Sequence, residues 1–286
     1  MTSAIERVGV IGAGQMGGGI AEVCARAGVD VMVFDTTEAL TTAGHNRIVK
    51  SLDRGISSGK LTELERDRAI GSLRFTTTLT DLADRHLVIE AVIEDDVIKA
   101  AIFAQLDEIV TDPDAVLASN TSSIPIMKLA AATGNPERVL GLHFFNPVPV
   151  LPLVELVTTL VTSDAAAARA EEFASAVLGK QVVRCSDRSG FVVNALLVPY
   201  LLSAIRMVEG GFASVEDVDK AVVAGLSHPM GPLRLCDLIG LDTLKLIADK
   251  MCEEFKEAHY GPPPLLLRMV EAGMLGKKSG RGFYQY

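Results

Sequence analysis

An apolar run of strand type, Arg7-Val8-Gly9-Val10-Ile11, leads directly into Gly12-Ala13-Gly14-Gln15-Met16-Gly17, and a helical stretch from Gly17 to Ala27 follows. A second apolar run, Val31-Met32-Val33-Phe34, then ends in Asp35. Few architectures accommodate this order. Gly12 lets the chain turn tightly out of the strand, Gly14 lets a pyrophosphate approach the backbone, and Gly17 lets the helix pack close to the sheet. The start of the helix presents free N–H groups and the positive end of its dipole to phosphates. Asp35 stands 21 residues after Gly14, where a carboxylate can accept the ribose hydroxyls of a dinucleotide. An ordinary glycine turn accounts for the glycines alone. It does not account for the strand before them, the helix after them and the acid at that distance.

The rest of the first two thirds alternates. After Asp35, Glu38 to Ser58 reads as a long helix, and Thr62-Glu63-Leu64-Glu65 as a capping box that opens another. Together they form a helical hairpin inserted in the nucleotide domain. Strand-like runs recur at Leu73–Phe75, Leu87–Ala91, Val116–Ser119, Val139–His143, Leu153–Val157 and Val182–Arg184. Helical patterns at Asp95–Val110, Pro125–Ala132 and Ala165–Leu178 separate most of them. This pattern predicts an α/β fold with a doubly wound, mostly parallel Rossmann-type sheet, in which some of the last strands run antiparallel. Beyond Ser186-Asp187-Arg188-Ser189-Gly190 the periodicity is only helical: Phe191–Glu209, with a kink expected at Pro199, then Val215–Ala224 with Ser214 as N-cap, Leu233–Phe255 and Leu265–Ala272. The expected domains are therefore residues 1–186, binding a dinucleotide, and residues 187–286, all-helical.

Bulk properties exclude several partners. A net charge of −9 argues against nucleic acid or an anionic membrane surface. Phe191 to Ile205 is the longest apolar stretch, but it holds Asn194, Pro199 and Ser203 and falls short of the ~20 residues that a membrane span needs. Cys24, Cys185, Cys236 and Cys252 form no CxxC pair, so a reduced, cytoplasmic compartment is expected and no metal site. The first strand begins within a few residues of Met1, so no signal or transit peptide is expected.

Ligands of open α/β sheets bind beyond the carboxyl ends of the strands. Three polar clusters fall there: Glu90 with Glu94, Asn120-Thr121-Ser122-Ser123, and His143-Phe144-Phe145-Asn146-Pro147. Neutral histidine suits proton exchange with an alcohol near pH 7. Glu155 sits inside the apolar run Leu153–Val157, where an acid needs a partner, and His143 would satisfy it. Each residue also has a purely structural reading. Asn120–Ser123 could cap the helix at Pro125, Glu155 could be a surface acid on an edge strand, and Lys277-Lys278 could be a solvated pair.

These residues together resemble the 3-hydroxyacyl-CoA dehydrogenase family, and within it the bacterial stand-alone 3-hydroxybutyryl-CoA dehydrogenases. The resemblance runs over nearly the whole chain. It is carried by Val10–Gly17, Asn120–Ser123, His143–Pro147, Gly190-Phe191-Val192-Val193-Asn194, Pro229-Met230-Gly231-Pro232, Asp237–Asp242 and Lys278-Ser279-Gly280-Arg281-Gly282-Phe283-Tyr284. It implies NAD-dependent, reversible oxidation of a short-chain (S)-3-hydroxyacyl-CoA to the 3-oxoacyl-CoA, with NADP as the alternative cofactor. The catalytic residues it implies are His143 as base, Glu155 as its acid, and Ser122 and Asn194 as contacts to substrate oxygens. The implied cofactor contacts are Gly12, Gly14, Gln15, Met16, Gly17, Asp35, Glu94, Lys99, Ser122, Asn146 and Lys278. Acyl-CoA contacts on the hairpin would fall at Ser51 and Lys60, and the helical domain would form a homodimer. Ser189 and Ala195 depart from the family pattern, which has proline and arginine there. Two rival functions are a dehydrogenase of a free small hydroxy acid and a catalytically silent, crystallin-like NAD-binding protein. The first would need a cationic clamp and often a lysine where this chain has Asn194.

Overall fold

The computed structural model describes residues 4–286. Two compact units divide the chain, the first ending at Asp187 and the second running from Arg188 to Tyr286.

The first unit is built on an eight-stranded sheet. Strand β1 (Arg7–Ile11) is followed by helix α1 (Gln15–Arg26) and strand β2 (Asp30–Phe34). The hairpin helices α2 (Glu38–Ser57) and α3 (Glu63–Gly71) come next, then β3 (Leu73–Thr76) and β4 (Leu87–Glu90). Helix α4 (Asp96–Ile109), strand β5 (Val116–Ser119), helix α5 (Ile126–Ala130) and strand β6 (Val139–Phe144) continue the winding. Strand β7 (Leu153–Thr158), helix α6 (Asp164–Glu172) and strand β8 (Gln181–Ser186) complete it. The spatial order is β3-β2-β1-β4-β5-β6-β7-β8. The strands from β3 to β6 are parallel, β7 runs antiparallel to β6, and β8 runs parallel to β7. Central strands β4, β5 and β6 are buried at every residue, as continuous apolar runs covered on both faces should be.

The order reverses between β1 and β4, so the carboxyl ends of these strands open a crevice there. The capping box of α3 is formed, with the Thr62 hydroxyl accepting from Glu65 N–H and the Glu65 carboxylate accepting from Thr62 N–H. Two of the purely structural readings fail in this unit. Residues 120–123 do not cap α5. The Asp187 carboxylate accepts from Ile126 N–H at 2.8 Å and Met127 N–H at 2.7 Å, because two oxygens can serve two free helix donors at once. Nor is Glu155 a surface acid on an edge strand. Its strand lies inside the sheet, between β6 and β8, and its side chain is fully buried.

The second unit is helical: α7 (Val193–Glu209), α8 (Val215–Leu226), α9 (Pro232–Ile239), α10 (Leu241–Phe255) and α11 (Pro264–Glu271). Ser214 caps α8 as expected, accepting from Asp217 N–H. The helix predicted over Leu233–Phe255 is two helices. Gly240 at φ +100° leaves the right-handed region and breaks it. The predicted start at Phe191 moves to Val193, because Gly190 and Phe191 both have positive φ. Pro199 is accommodated inside α7. Apolar side chains of α7 to α11, including Leu201, Leu202, Leu233, Leu244, Met251 and Leu266, form a separate core. No helix among the described residues is long and apolar enough to cross a membrane.

Candidate active site

The register of the antiparallel pair β6–β7 sets His143 directly opposite Glu155. Their side chains meet, with Nδ1 2.7 Å from Oε2, and both are buried. A carboxylate only accepts, so the proton of this bond resides on Nδ1 and the lone pair of Nε2 is left to other chemistry. Nε2 lies 2.9 Å from the Ser122 hydroxyl. Phe145 packs its ring on the imidazole, with centroids 4.6 Å apart. The result is a hydroxyl, an imidazole and a carboxylate in one line.

Ser122 is held there by a layer of carboxylates beneath the loop. One Glu94 oxygen accepts from Thr121 Oγ1 at 2.6 Å, from Ser122 N–H at 3.0 Å and from Ser123 N–H at 3.1 Å. Burial opposes the charge on Glu94, but the nearby Lys99 ammonium and these donors outweigh it and hold its pKa below the usual carboxylate range. Lys99 is itself buried and donates to Glu90 at 2.6 Å. The other Glu90 oxygen accepts from Ser119 at 2.6 Å. Asn120 braces the next strand by accepting from Phe144 N–H at 2.8 Å. The polar groups at the ends of β4, β5 and β6 therefore form one bonded network, which fixes two loops at the distance that Ser122 and His143 require.

The glycine loop has the shape of a dinucleotide cradle. Gly12 takes φ +95°, and a side chain there would strike the Ala91 carbonyl. A Cβ on Gly17 would lie 1.8 Å from the Gly12 oxygen, whereas Gly14 faces open space on its side-chain side. Helix α1 starts without a side-chain cap and with no acid in its first turn, so its N–H groups are left for an anion. Asp35 stands at the end of β2 and accepts from Ala13 N–H at 2.8 Å and Thr36 N–H at 2.7 Å. The oxygen that accepts from Ala13 has no other donor among these bonds, whereas the other is also 3.5 Å from the Thr36 hydroxyl. The residues present thus fit a dinucleotide. Gln15 donates to Asn146 at 3.0 Å, which joins the glycine loop to the loop after β6.

Beside this loop, between α1, α2 and the segment after β6, lies a cavity of about 260 Å³ lined by Gln15, Arg47, Ser51, Arg54 and Asn146, among others. A second cavity of about 410 Å³ shares Pro149 with the first and carries Arg26, Lys60 and Lys180 on its walls. Ser51 and Lys60, both expected to touch an acyl-CoA, thus line neighbouring cavities.

Residues 7–188 match the family described as 3-hydroxyacyl-CoA dehydrogenase, NAD binding domain, and residues 190–286 match its C-terminal domain. The chain belongs to the 3-hydroxyacyl-CoA dehydrogenase family. It is accordingly an oxidoreductase whose first domain binds NAD. A 3-hydroxybutyryl-CoA dehydrogenase of Mycobacterium tuberculosis is 82% identical over 286 residues, all of both chains. The crystal structure of M. tuberculosis FadB2, also 82% identical, superposes with a TM-score of 0.98 over 99% of this chain and 100% of that one. An (S)-3-hydroxybutyryl-CoA dehydrogenase of Ralstonia eutropha superposes with a TM-score of 0.94 at 43% identity, covering 99% of each chain.

Of the residues that the family resemblance singles out, His143, Glu155, Ser122, Glu94 and Lys99 are brought together in the first unit. Asn194 and Lys278 lie in the second. Asn194 is at the start of α7, half-buried, and Lys278 pairs with Asp242 at 2.6 Å. Nothing in the sequence pointed to Ser119, or to Arg47 as a partner of the glycine loop. Arg47 donates to the Ala13 carbonyl at 2.6 Å across 34 residues, a contact that no local pattern announces.

Proposed function

We propose that the protein oxidises short-chain (S)-3-hydroxyacyl-CoA, with 3-hydroxybutyryl-CoA as the type substrate, to the 3-oxoacyl-CoA, reversibly and with NAD. The observation that carries this reading is the line Ser122–His143–Glu155, with Nε2 of the imidazole turned to the Ser122 hydroxyl and Nδ1 to the carboxylate. In the oxidative direction His143 takes the proton of the 3-hydroxyl onto Nε2 as the O–H bond breaks, and in the reductive direction it returns that proton. Glu155 keeps the ring in this tautomer and balances its charge once both nitrogens are protonated. Ser122 donates to the substrate oxygen and orients it against Nε2. Asn194 supplies a second oxygen contact from the helical domain. Bound NAD supplies the hydride acceptor. Gly12, Gly14, Gln15, Met16, Gly17, Asp35, Glu94, Lys99, Asn146 and Lys278 would hold it.

Residues 1–186 act in this reading as the cofactor domain and residues 187–286 as the substrate and dimerisation domain. Ser51 and Lys60 hold the coenzyme A handle, a role supported by the arginines and lysines around the two cavities. Homodimerisation through the helical domain is supported by apolar side chains that α7 leaves in solvent, with Leu196 73% exposed and Met207 48%. A cytoplasmic location fits Cys24, Cys185, Cys236 and Cys252, all free thiols. The deciding experiment follows NADH consumption with acetoacetyl-CoA beside free 3-oxo and 2-oxo acids. Turnover of the thioester alone is expected. Preference for a free acid, or no turnover of any substrate, would overturn the reading.

A further inference from the structure

Ala13 is the residue of the glycine loop that is gripped on both of its peptide groups. Its N–H donates to Asp35 at 2.8 Å, and its carbonyl accepts from Arg47 Nη1 at 2.6 Å. The second grip comes from the hairpin, because α2 rests directly on the loop. A Cβ on Gly44 would lie 2.5 Å from the Ala13 Cβ, so only glycine allows the helix to approach this closely. Arg47 follows Gly44 by three residues, which is one helical turn, and so reaches over the same spot. Its side chain also lines the 260 Å³ cavity with Ser51 and Arg54. A guanidinium has five donors in a fixed fork. One donor is used on Ala13, and others remain for a phosphate in the cavity.

We infer that Arg47 is a positioning residue shared by the two ligand sites: it fixes the cofactor loop from the side where the coenzyme A handle binds, so that NAD and coenzyme A bind with positive linkage. The inference rests on the functional reading above. An exposed arginine pays side-chain entropy when it is ordered. A phosphate held by the remaining donors of Arg47 tightens its hold on the Ala13 carbonyl, and a loop ordered by NAD in turn keeps the guanidinium in place for the phosphate. Coupling of this kind is reciprocal, so each ligand tightens the other by the same factor.

NADH fluorescence titrations, with and without saturating free coenzyme A at fixed salt, test the inference. In the wild type, coenzyme A is expected to lower the Kd for NADH by about fivefold, at the lower end of usual couplings. Arg47→Met is expected to weaken NADH binding about fivefold in the absence of coenzyme A and to abolish the linkage, with a near-ultraviolet circular dichroism spectrum like that of the wild type. Arg47→Lys keeps the charge without the fork, and its linkage is expected to fall below about twofold. Independent binding of the two ligands by the wild type would overturn the inference alone, as would full linkage in either variant. A wild type that binds no NADH would overturn the functional reading and the inference with it.

Discussion

His143 and Glu155 face each other across the antiparallel strands β6 and β7, with the ring nitrogen 2.7 Å from the carboxylate oxygen and both side chains out of solvent. The pairing exists because β7 reverses direction. A parallel β7 would carry its first residues toward the opposite end of the sheet.

Removing either partner is expected to disable proton transfer. His143→Ala should lower kcat by about 10² or more, the usual scale of a lost general base, with little change in NADH affinity. Glu155→Gln should lose a comparable amount while remaining folded, because the carboxylate works through the ring. Steady-state kinetics beside NADH titrations check both. Near-normal turnover at pH 7 would remove His143 from the mechanism.

Glu94 predicts a response to acid. Its pKa is lowered in the folded protein, so its contribution to stability is fully present above its ordinary value of 4.5. That contribution is lost as the pH falls below 4.5 through the folded value, since protonation then breaks the bonds to Thr121, Ser122 and Ser123. Melting temperatures from pH 7 to pH 3 should therefore fall less steeply for Glu94→Gln than for the wild type. The same variant should lose about tenfold in kcat/KM, because hydrogen bonds to a charged group are each worth about 1.5–3 kcal/mol and the Ser122 loop is released without them. Parallel melting curves would remove the stability claim.

Asp35 is expected to set the choice of cofactor. A 2′-phosphate would be repelled by its carboxylate, and the adjacent Thr36 and Thr37 carry no positive charge. NAD(H) is expected to exceed NADP(H) by about tenfold or more in kcat/KM, equivalent to ~1.4 kcal/mol of discrimination. Asp35→Ser should narrow the gap, mainly by weakening NAD. Measuring both cofactors on both proteins decides this, and an NADP(H) preference in the wild type would refute it.

The hairpin cations predict a dependence on the substrate's handle. Arg54→Ala combined with Lys60→Ala should raise KM for acetoacetyl-CoA severalfold, as losing charge-assisted contacts to phosphate requires. The effect should shrink for an N-acetylcysteamine thioester, which lacks the nucleotide phosphates. Equal losses on both substrates would show that the cavities do not hold the handle.

In the helical domain, Asp237 ties down the end of the chain. It is buried and accepts from Phe283 N–H at 2.9 Å, Tyr284 N–H at 2.9 Å and Tyr286 Oη–H at 3.1 Å. Asp237→Ala strands these donors and should cost about 2–4 kcal/mol, read as a lower denaturant midpoint. An unchanged midpoint would show that the tail is held by packing alone.

Local chemistry wrote much of this protein into its sequence. The dinucleotide loop, the capping box at Thr62, the N-cap at Ser214, and the change from alternating to purely helical periodicity all depend on residues within a turn or two of each other. The candidate residues were also legible: His143, Ser122 and Glu94 as polar groups where apolar strands end, and Glu155 as an acid inside an apolar strand. The pairing of His143 with Glu155 was legible too, but the network that joins Glu94, Lys99, Glu90 and Ser119 to Ser122 was not, because it depends on strand order and register. Only the sheet brings Glu94 beneath Ser122 and Asp187 onto the start of α5. Gly240 broke a helix that periodicity alone had carried through. Arg47 reaches Ala13 because α2 folds back onto the loop, at a separation of 34 residues that no pattern along the chain encodes. Propensity and capping act over a few residues and can be read in order. Hydrogen bonds between distant groups require the folded backbone to set their distance, and only the tertiary structure decides that.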